Sequence, residues 1–431
     1  MTFTECLLGN EARAFPQLTA EGPGLAVGLL STYPPTECGL ATFAAASRTA
    51  LAHARPSWDV SIIEACAAVT SRAPLAPSHS APEISVRWWP SCRRSFNAAV
   101  AFGRQLDCLI VEHEFGIYAG SDGSDVLELL DAIDAPVVAV LHTVLRSPTP
   151  GQRAVVDRLG ERSEAIVVMS EAARGTLLRN HPMLFGSTVV IPHGAHWARY
   201  RDPLGSGRSP LLLTWGLVGP GKGLELAIDA VADVVASGVP VRYRICGETH
   251  PKVRAQEGER YRRSLVERVR ALGLEGIVTF EDRYRSVPEL LGVIEEADLV
   301  LIPYDSREQV TSGVLVEALA AGKAVVATAF PHAREALATG AGIVVTHDDR
   351  PAMASAIVRV LTEPGCAVRM SRQARAVGAP MLWPAVGEAL AALVEAVVPG
   401  GGDVIATKPY WPGSSRRERP GRRLRGLAEA F

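Results

Sequence analysis

Short β-branched runs alternate with longer stretches of helical periodicity along most of the chain. In the first half the apolar runs fall at 25–30 (LAVGLL), 59–63, 83–89, 106–111, 136–142, 165–170 and 188–192. Runs of this kind, apolar at consecutive positions, fit strands covered on both faces, and their alternation with helices predicts βαβ units and parallel sheets. A polar stretch with Gly and Pro, RDPLGSGRSP at 201–210, then breaks the pattern and reads as a linker. The second half restarts with runs at 211–217, 241–247, 277–281, 298–303, 324–328 and 342–346. The pattern therefore predicts an α/β protein of two facing, doubly wound, Rossmann-like domains, residues 24–200 and 208–380. An amphipathic helix is expected at 383–398. Residues 1–23 read as an N-terminal extension and 399–431 as a disordered basic tail, rich in Gly and Pro, with six arginines between Arg416 and Arg425. A solubilising role suits such a tail; a weak electrostatic contact with a membrane surface is the other use of that charge run.

Length agrees with two domains, because 431 residues exceed the size at which one hydrophobic core keeps growing. A net charge of −2 excludes wholesale electrostatic binding to nucleic acid. No charge-free apolar run approaches the ~18–20 residues that span a bilayer, and the N-terminus lacks a basic start followed by an apolar core, so no secretory leader is expected. Seven scattered cysteines form no C-x-x-C pair, which argues against a disulfide framework or zinc site and for a reducing, cytoplasmic location.

Polar residues collect where strands end, the position at which open α/β sheets bind ligands. Ser31 and Thr32 follow the first run; Glu112, His113 and Glu114 follow LIV; His142 and Thr143 end VVAVL; His193 and Gly194 follow VVIP. In the second half, GPGKG (219–223), ETHP (248–251) and YDSREQVTSG (304–313) stand at the corresponding places. Lys222, among glycines and just before a helical pattern, suits a phosphate, though the same segment also fits a plain turn with an exposed lysine. Neither a Walker A motif nor a G-x-G-x-x-G after the first strand is present. Glu317 lies in an otherwise apolar run, Val314 to Ala321, that predicts a buried helix. A buried carboxylate needs a partner. It fits either a neighbouring Arg or Lys, or the hydroxyls of a ribose whose phosphates rest on the helix start at Thr311, Ser312, Gly313 and Val314.

The segments GLVGPGKGLELAIDA, ETHPKVRAQEGERYR, QVTSGVLVEALAAGKAVVAT, STYPPTECGLATF, VEHEFGIYAG, LHTVL and IPHGA, in this chain's order of strands, resemble retaining glycosyltransferases of family 4, which have the GT-B fold. The resemblance covers roughly residues 24 to 398. It implies transfer of a sugar from a UDP- or GDP-sugar to a hydroxyl of a glycan, glycolipid or small-molecule acceptor, with no cofactor and no metal. It also implies that the helix at 383–398 returns to the N-terminal domain. By this resemblance Lys222 contacts the donor diphosphate, Glu317 the ribose, and His142 the transferred sugar, with Gly39 in the loop beneath the reaction centre. Gly216, Gly247, His250 and residues 311–314 complete the expected donor site, and His113 and Glu114 the acceptor side. Two positions depart from the family pattern. Gln309 stands where the first glutamate of E-x7-E is expected, and Leu217 where an arginine usually is; His250, Arg244 and Arg307 are the cations near strand ends that could replace it. These departures leave a catalytically silent nucleotide-sugar-binding or scaffold protein, and a GT-B sugar-nucleotide epimerase, as the alternative readings.

Overall fold

Each of the thirteen apolar runs is a strand in a computed structural model of the chain, which describes residues 24–36, 38–66, 81–90, 92–204 and 207–399. The N-terminal extension at 1–23 and the basic tail from residue 400 lie outside the described residues. The first half contributes β1 (Ala26–Ser31), β2 (Asp59–Ala65), β3 (Ile84–Trp88), β4 (Cys108–His113), β5 (Val137–Leu141), β6 (Ala165–Val168) and β7 (Thr188–Val190). The second contributes β8 (Leu211–Trp215), β9 (Arg242–Cys246), β10 (Val278–Glu281), β11 (Leu299–Ile302), β12 (Ala324–Thr328) and β13 (Gly342–Val345).

The first set forms one parallel sheet in the order β3-β2-β1-β4-β5-β6-β7, the second another in the order β10-β9-β8-β11-β12-β13. Crossover helices cover the sheets, so the central strands β4, β5, β8 and β12 are buried throughout, and this is why their runs read as continuous rather than alternating; the outer strands β3, β10 and β13 are mostly only half-buried. Strand order reverses between β1 and β4 in one sheet and between β8 and β11 in the other. At such switch points the loops diverge to opposite faces and leave a crevice.

Two chain crossings join the lobes and are tied together. Ala195 N–H donates to Met381 O at 2.8 Å, and Trp383 N–H donates to Ala195 O at 3.0 Å. The helix Trp383–Val397 then lies against the helix Gly39–Ala54 and inserts Trp383, Val386, Leu390 and Leu393 into the N-terminal core. Each such side chain is worth about 1.5–3 kcal/mol when fully buried, enough to fasten this helix to the first lobe. Among the described residues no helix is long and apolar enough to cross a membrane.

The lobes also meet through loops and helices that follow their strands. Val310, from the second lobe, is buried in the core of the first, and its carbonyl accepts from Ser170 Oγ at 2.6 Å. The Glu335 carboxylate caps the start of the helix Glu171–Asn180, accepting from the N–H groups of Glu171 (3.0 Å) and Ala172 (2.7 Å). At the opposite side of the cleft Thr42 and Tyr284 approach through their hydroxyls at 3.2 Å.

Candidate active site

At the end of β8 the backbone turns sharply at Gly216, whose φ is +112°, and runs beside Gly247, whose φ is +136°. This turn opens a narrow pocket lined by Trp215, Gly216, Leu217, Lys222, Ile245 and Cys246. Lys222 follows in a tight turn closed by its own N–H donating to Gly219 O, and its Nζ sits 4.4 Å from the centre of the Tyr304 ring. Tyr304 is itself buried and stacked on Phe330, so the lysine rests on a rigid aromatic floor. Among the described residues no carboxylate pairs with its ammonium group.

Glu317 is tied to one of the residues lining that pocket, Trp215. Its Oε2 accepts from Trp215 Nε1 at 3.1 Å, and no Arg or Lys pairs with it among the described residues. The partner demanded by a buried carboxylate is therefore an indole N–H rather than a cation. Burial pushes the carboxyl up to about 7, and the Trp215 hydrogen bond pulls in the opposite direction. The helix carrying it, Gly313–Ala320, begins at Ser312, whose Oγ accepts from Leu315 N–H at 3.3 Å. Ser312 N–H donates to His332 Nδ1 at 2.9 Å. The amides of Gly313 and Val314 have no acceptor among the described residues, which leaves two N–H groups at the positive end of the helix dipole. Gly313 sits tight against the first lobe: a Cβ there would lie 3.0 Å from Cε1 and Nε2 of His193, so that ring would have to give way for any larger residue.

His332 and His193 were not among the expected site residues. Burial pushes His332 down to about 4, which keeps the imidazole neutral and Nδ1 free to accept. Burial also pushes His193 down, to about 3, with His142 adding to the effect. His193 Nδ1 donates to Gly194 O at 2.7 Å, so Nε2 faces Gly313 as an acceptor. The IPHGA segment thus packs an N-lobe imidazole on the start of the C-lobe helix.

On the N-terminal side, His142 donates from Nε2 to Glu112 Oε2 at 2.7 Å and packs edge-on against Phe43 with ring centres 4.7 Å apart. Glu112 is fully buried with Oε1 unpartnered, and it orients the His142 ring. Glu112 was legible only as one of three polar residues after a strand; β4 in fact runs two residues further, through His113. Strand alternation then sends Glu112 toward His142 and His113 to the opposite face. His113, expected on the acceptor side, is 0% exposed, lies between Phe115 and Tyr118, and is pushed down to about 4 by burial. It offers no surface to an acceptor. Glu114 is half-buried and accepts a short hydrogen bond from Thr143 Oγ1. Gly39 starts the helix Gly39–Ala54 with open space where a side chain would be.

The remaining expected residues divide in two. His250 stands beside Gly219, and its Nδ1 accepts from Lys252 N–H at 3.2 Å. Gln309 is half-buried and its Nε2 donates to Thr311 O at 2.5 Å, so its amide is partly engaged in holding the loop before Ser312. Arg244 is committed to Glu296 (2.9 Å) and Glu281 (3.4 Å), and Arg307 pairs with Asp348 on the exposed surface. Neither arginine replaces a cation at Leu217.

Two parallel, helix-covered sheets facing each other across a cleft, with a hinge of two crossings and a returning C-terminal helix, define the GT-B class of fold. Solved structures agree. The Anabaena protein HepE in complex with UDP superposes with a TM-score of 0.65 at 16% identity, over 86% of this chain and 100% of that one. Sucrose-phosphate synthase from Thermosynechococcus elongatus superposes with a TM-score of 0.63 at 18% identity, over 86% and 98%. Residues 209–363 match the family model described as glycosyl transferases group 1. The chain is also 29% identical over 314 residues to the phosphatidyl-myo-inositol mannosyltransferase of Mycolicibacterium smegmatis, covering 68% of this chain and 76% of that protein. The second lobe of this chain thus carries a group 1 glycosyltransferase domain, set in a GT-B fold.

Proposed function

We propose that the enzyme transfers a sugar from a UDP- or GDP-sugar to an acceptor hydroxyl with retention of anomeric configuration, in the manner of family 4. The observation that carries this reading is what gathers at the end of β8: Lys222 in the pocket beside Trp215, Glu317 held by the Trp215 indole, and the helix start with its two open amides, where Val314 lies 3.8 Å from a Cβ built on Gly216. Amides and ammonium suit a diphosphate; a carboxylate beyond them suits the two hydroxyls of a ribose. The transferred sugar then lies between this pocket and His142, and the acceptor enters past Gly39 and Glu114. In the reaction the bond from the anomeric carbon to the phosphate oxygen breaks and a bond to the acceptor oxygen forms on the same face. The leaving phosphate takes the acceptor proton, so no separate base is needed, and Lys222 with the amides supplies the positive charge. Gln309 contributes hydrogen bonds to sugar hydroxyls without negative charge. The acceptor class, a glycan, glycolipid or small polyol, is compatible with the lipid-linked inositol in the name of the mycobacterial relative.

The test is a panel of UDP- and GDP-sugars with candidate acceptors, reading nucleoside diphosphate release and the anomeric configuration of the product by NMR. Melting curves with UDP, GDP and ADP provide the prior step. A nucleotide at about 100 times its Kd stabilises the folded state by about 2.7 kcal/mol. Absence of a shift with all three would refute the donor assignment.

Glu317 gives this reading a pH signature. Ribose hydroxyls donate to the charged carboxylate, while the empty site holds the proton up to about pH 7. Nucleotide affinity is therefore expected to rise about tenfold between pH 6 and pH 8 as that proton leaves more easily. Glu317→Gln should bind more weakly at pH 8 and show a flat profile, measured by calorimetry. A flat wild-type profile would detach Glu317 from the nucleotide.

A further inference from the structure

Beyond the ends of β8 and β9 the parallel ladder continues into the cleft. Val218 N–H donates to Glu248 O at 2.8 Å, and His250 N–H donates back to Val218 O at 2.8 Å. This extension holds the turn bearing Lys222 alongside the segment from His250 to Lys252. Lys252 in turn reaches across to the first lobe: a Cβ built on Gly116 would lie 3.9 Å from Lys252 Nζ. Gly116 belongs to the segment that carries Glu114. The surrounding arginines are neutralised, Arg254 by Glu259 (2.9 Å) and Glu248 (3.5 Å), Arg262 by Asp282 (3.0 Å). Among the described residues neither Lys222 nor Lys252 has such a partner. Both lysines act on His250, which is pushed below its ordinary value by burial first and then by the two ammonium groups. Two cations without a carboxylate partner thus stand near one imidazole at the place where the lobes approach, while the acidic side chains of the same segment, Glu248 and Glu259, are paired with Arg254. An anion with oxygens on more than one side satisfies that arrangement, and a phosphoryl group has this shape and charge.

We propose that Lys252 binds a phosphoryl group in the cleft, where the strand extension holds it alongside the turn of Lys222 and opposite Gly116 of the first lobe. The inference rests on the donor reading above and extends it to a cation that neither the family model nor the resemblance assigns. The phosphoryl group belongs either to the donor diphosphate or to a phosphorylated acceptor, and the two sources separate experimentally. Lys252 is exposed and its side chain makes no hydrogen bond, so Lys252→Met should keep the wild-type melting temperature, and Lys252→Arg keeps the charge.

Calorimetric titration of full-length wild type and both variants with UDP and UMP, or with GDP and GMP if the guanosine nucleotide is the one bound, reads the donor. Diphosphate affinity falling at least about tenfold in Lys252→Met, with monophosphate affinity unchanged and Lys252→Arg restoring the diphosphate, assigns the donor. Unchanged diphosphate affinity, with inorganic phosphate stabilising the nucleotide-saturated wild type but not Lys252→Met, assigns the acceptor. Equal diphosphate binding in all three proteins and no phosphate response in the wild type overturns the inference alone. A wild type that binds no nucleoside diphosphate overturns the donor reading together with it.

Discussion

Lys222→Ala should lower kcat/KM for sugar transfer by about 10²–10³-fold, the range in which a charge-stabilising group in a water-poor site acts. The same variant should melt within a degree or two of wild type. Its ammonium group rests on the face of the buried Tyr304 ring at 4.4 Å with no ion pair among the described residues, and a cation–π pair whose lysine still meets water is worth about 1 kcal/mol. The helix that follows, Leu224–Ala236, starts at Gly223 and does not depend on the lysine side chain. The split between the two measurements is what identifies Lys222 as a group serving the reaction. Turnover close to wild type would remove it from the mechanism, and a large loss of stability would make it a structural residue.

Gly247→Ala should do the reverse and cost the fold itself. A Cβ at this position would lie 2.0 Å from Gly216 O and 2.8 Å from Gly216 C, and φ is +136°. Backbone cannot swing aside as a side-chain tip does. Either the ladder between the two loops opens or the residue leaves its conformation; strain of either kind costs several kcal/mol, on the order of 3 or more. Thermal unfolding of the purified variant should show the C-terminal lobe melting about 10 °C lower, with nucleotide binding impaired because the turn carrying Lys222 moves with Gly216. A wild-type melting curve would mean that the two loops do not approach as described.

The thirteen strands were legible because a strand buried on both faces leaves an uninterrupted apolar record in the sequence, as at Val137–Leu141 and Ala324–Thr328. The boundaries drifted where that record is broken by polar residues still inside the ladder. β4 was expected to stop at Val111, yet Glu112 and His113 pair with Val140 and Leu141 of β5. That drift placed His113 at the cleft in expectation and inside the core in fact.

Glu317 could be singled out because a lone carboxylate in an apolar helix must be paid for, but the sequence offered no means of naming Trp215, 102 residues away, as what holds it. The Glu112–His142 and Ser312–His332 pairs were hidden for the same reason: each joins segments that only the sheet order brings together. The cue that does exist for His332 is local, a histidine following the AVVAT strand and Phe330, and it gives no partner. Gly313 and Val314 could be placed at a helix start from their context, whereas the close approach of the His193 ring to Gly313 across the lobe boundary could not.

That boundary is crossed by the chain in one more way. Val310 is covalently part of the second lobe but sits in the hydrophobic interior of the first, where its carbonyl accepts from Ser170. Two residues later the same chain becomes Ser312, the cap of the helix whose amides face the pocket. Parting the lobes would withdraw Val310 into water or pull on the helix start two residues beyond it, so any opening of the cleft is felt at the amides of Gly313 and Val314.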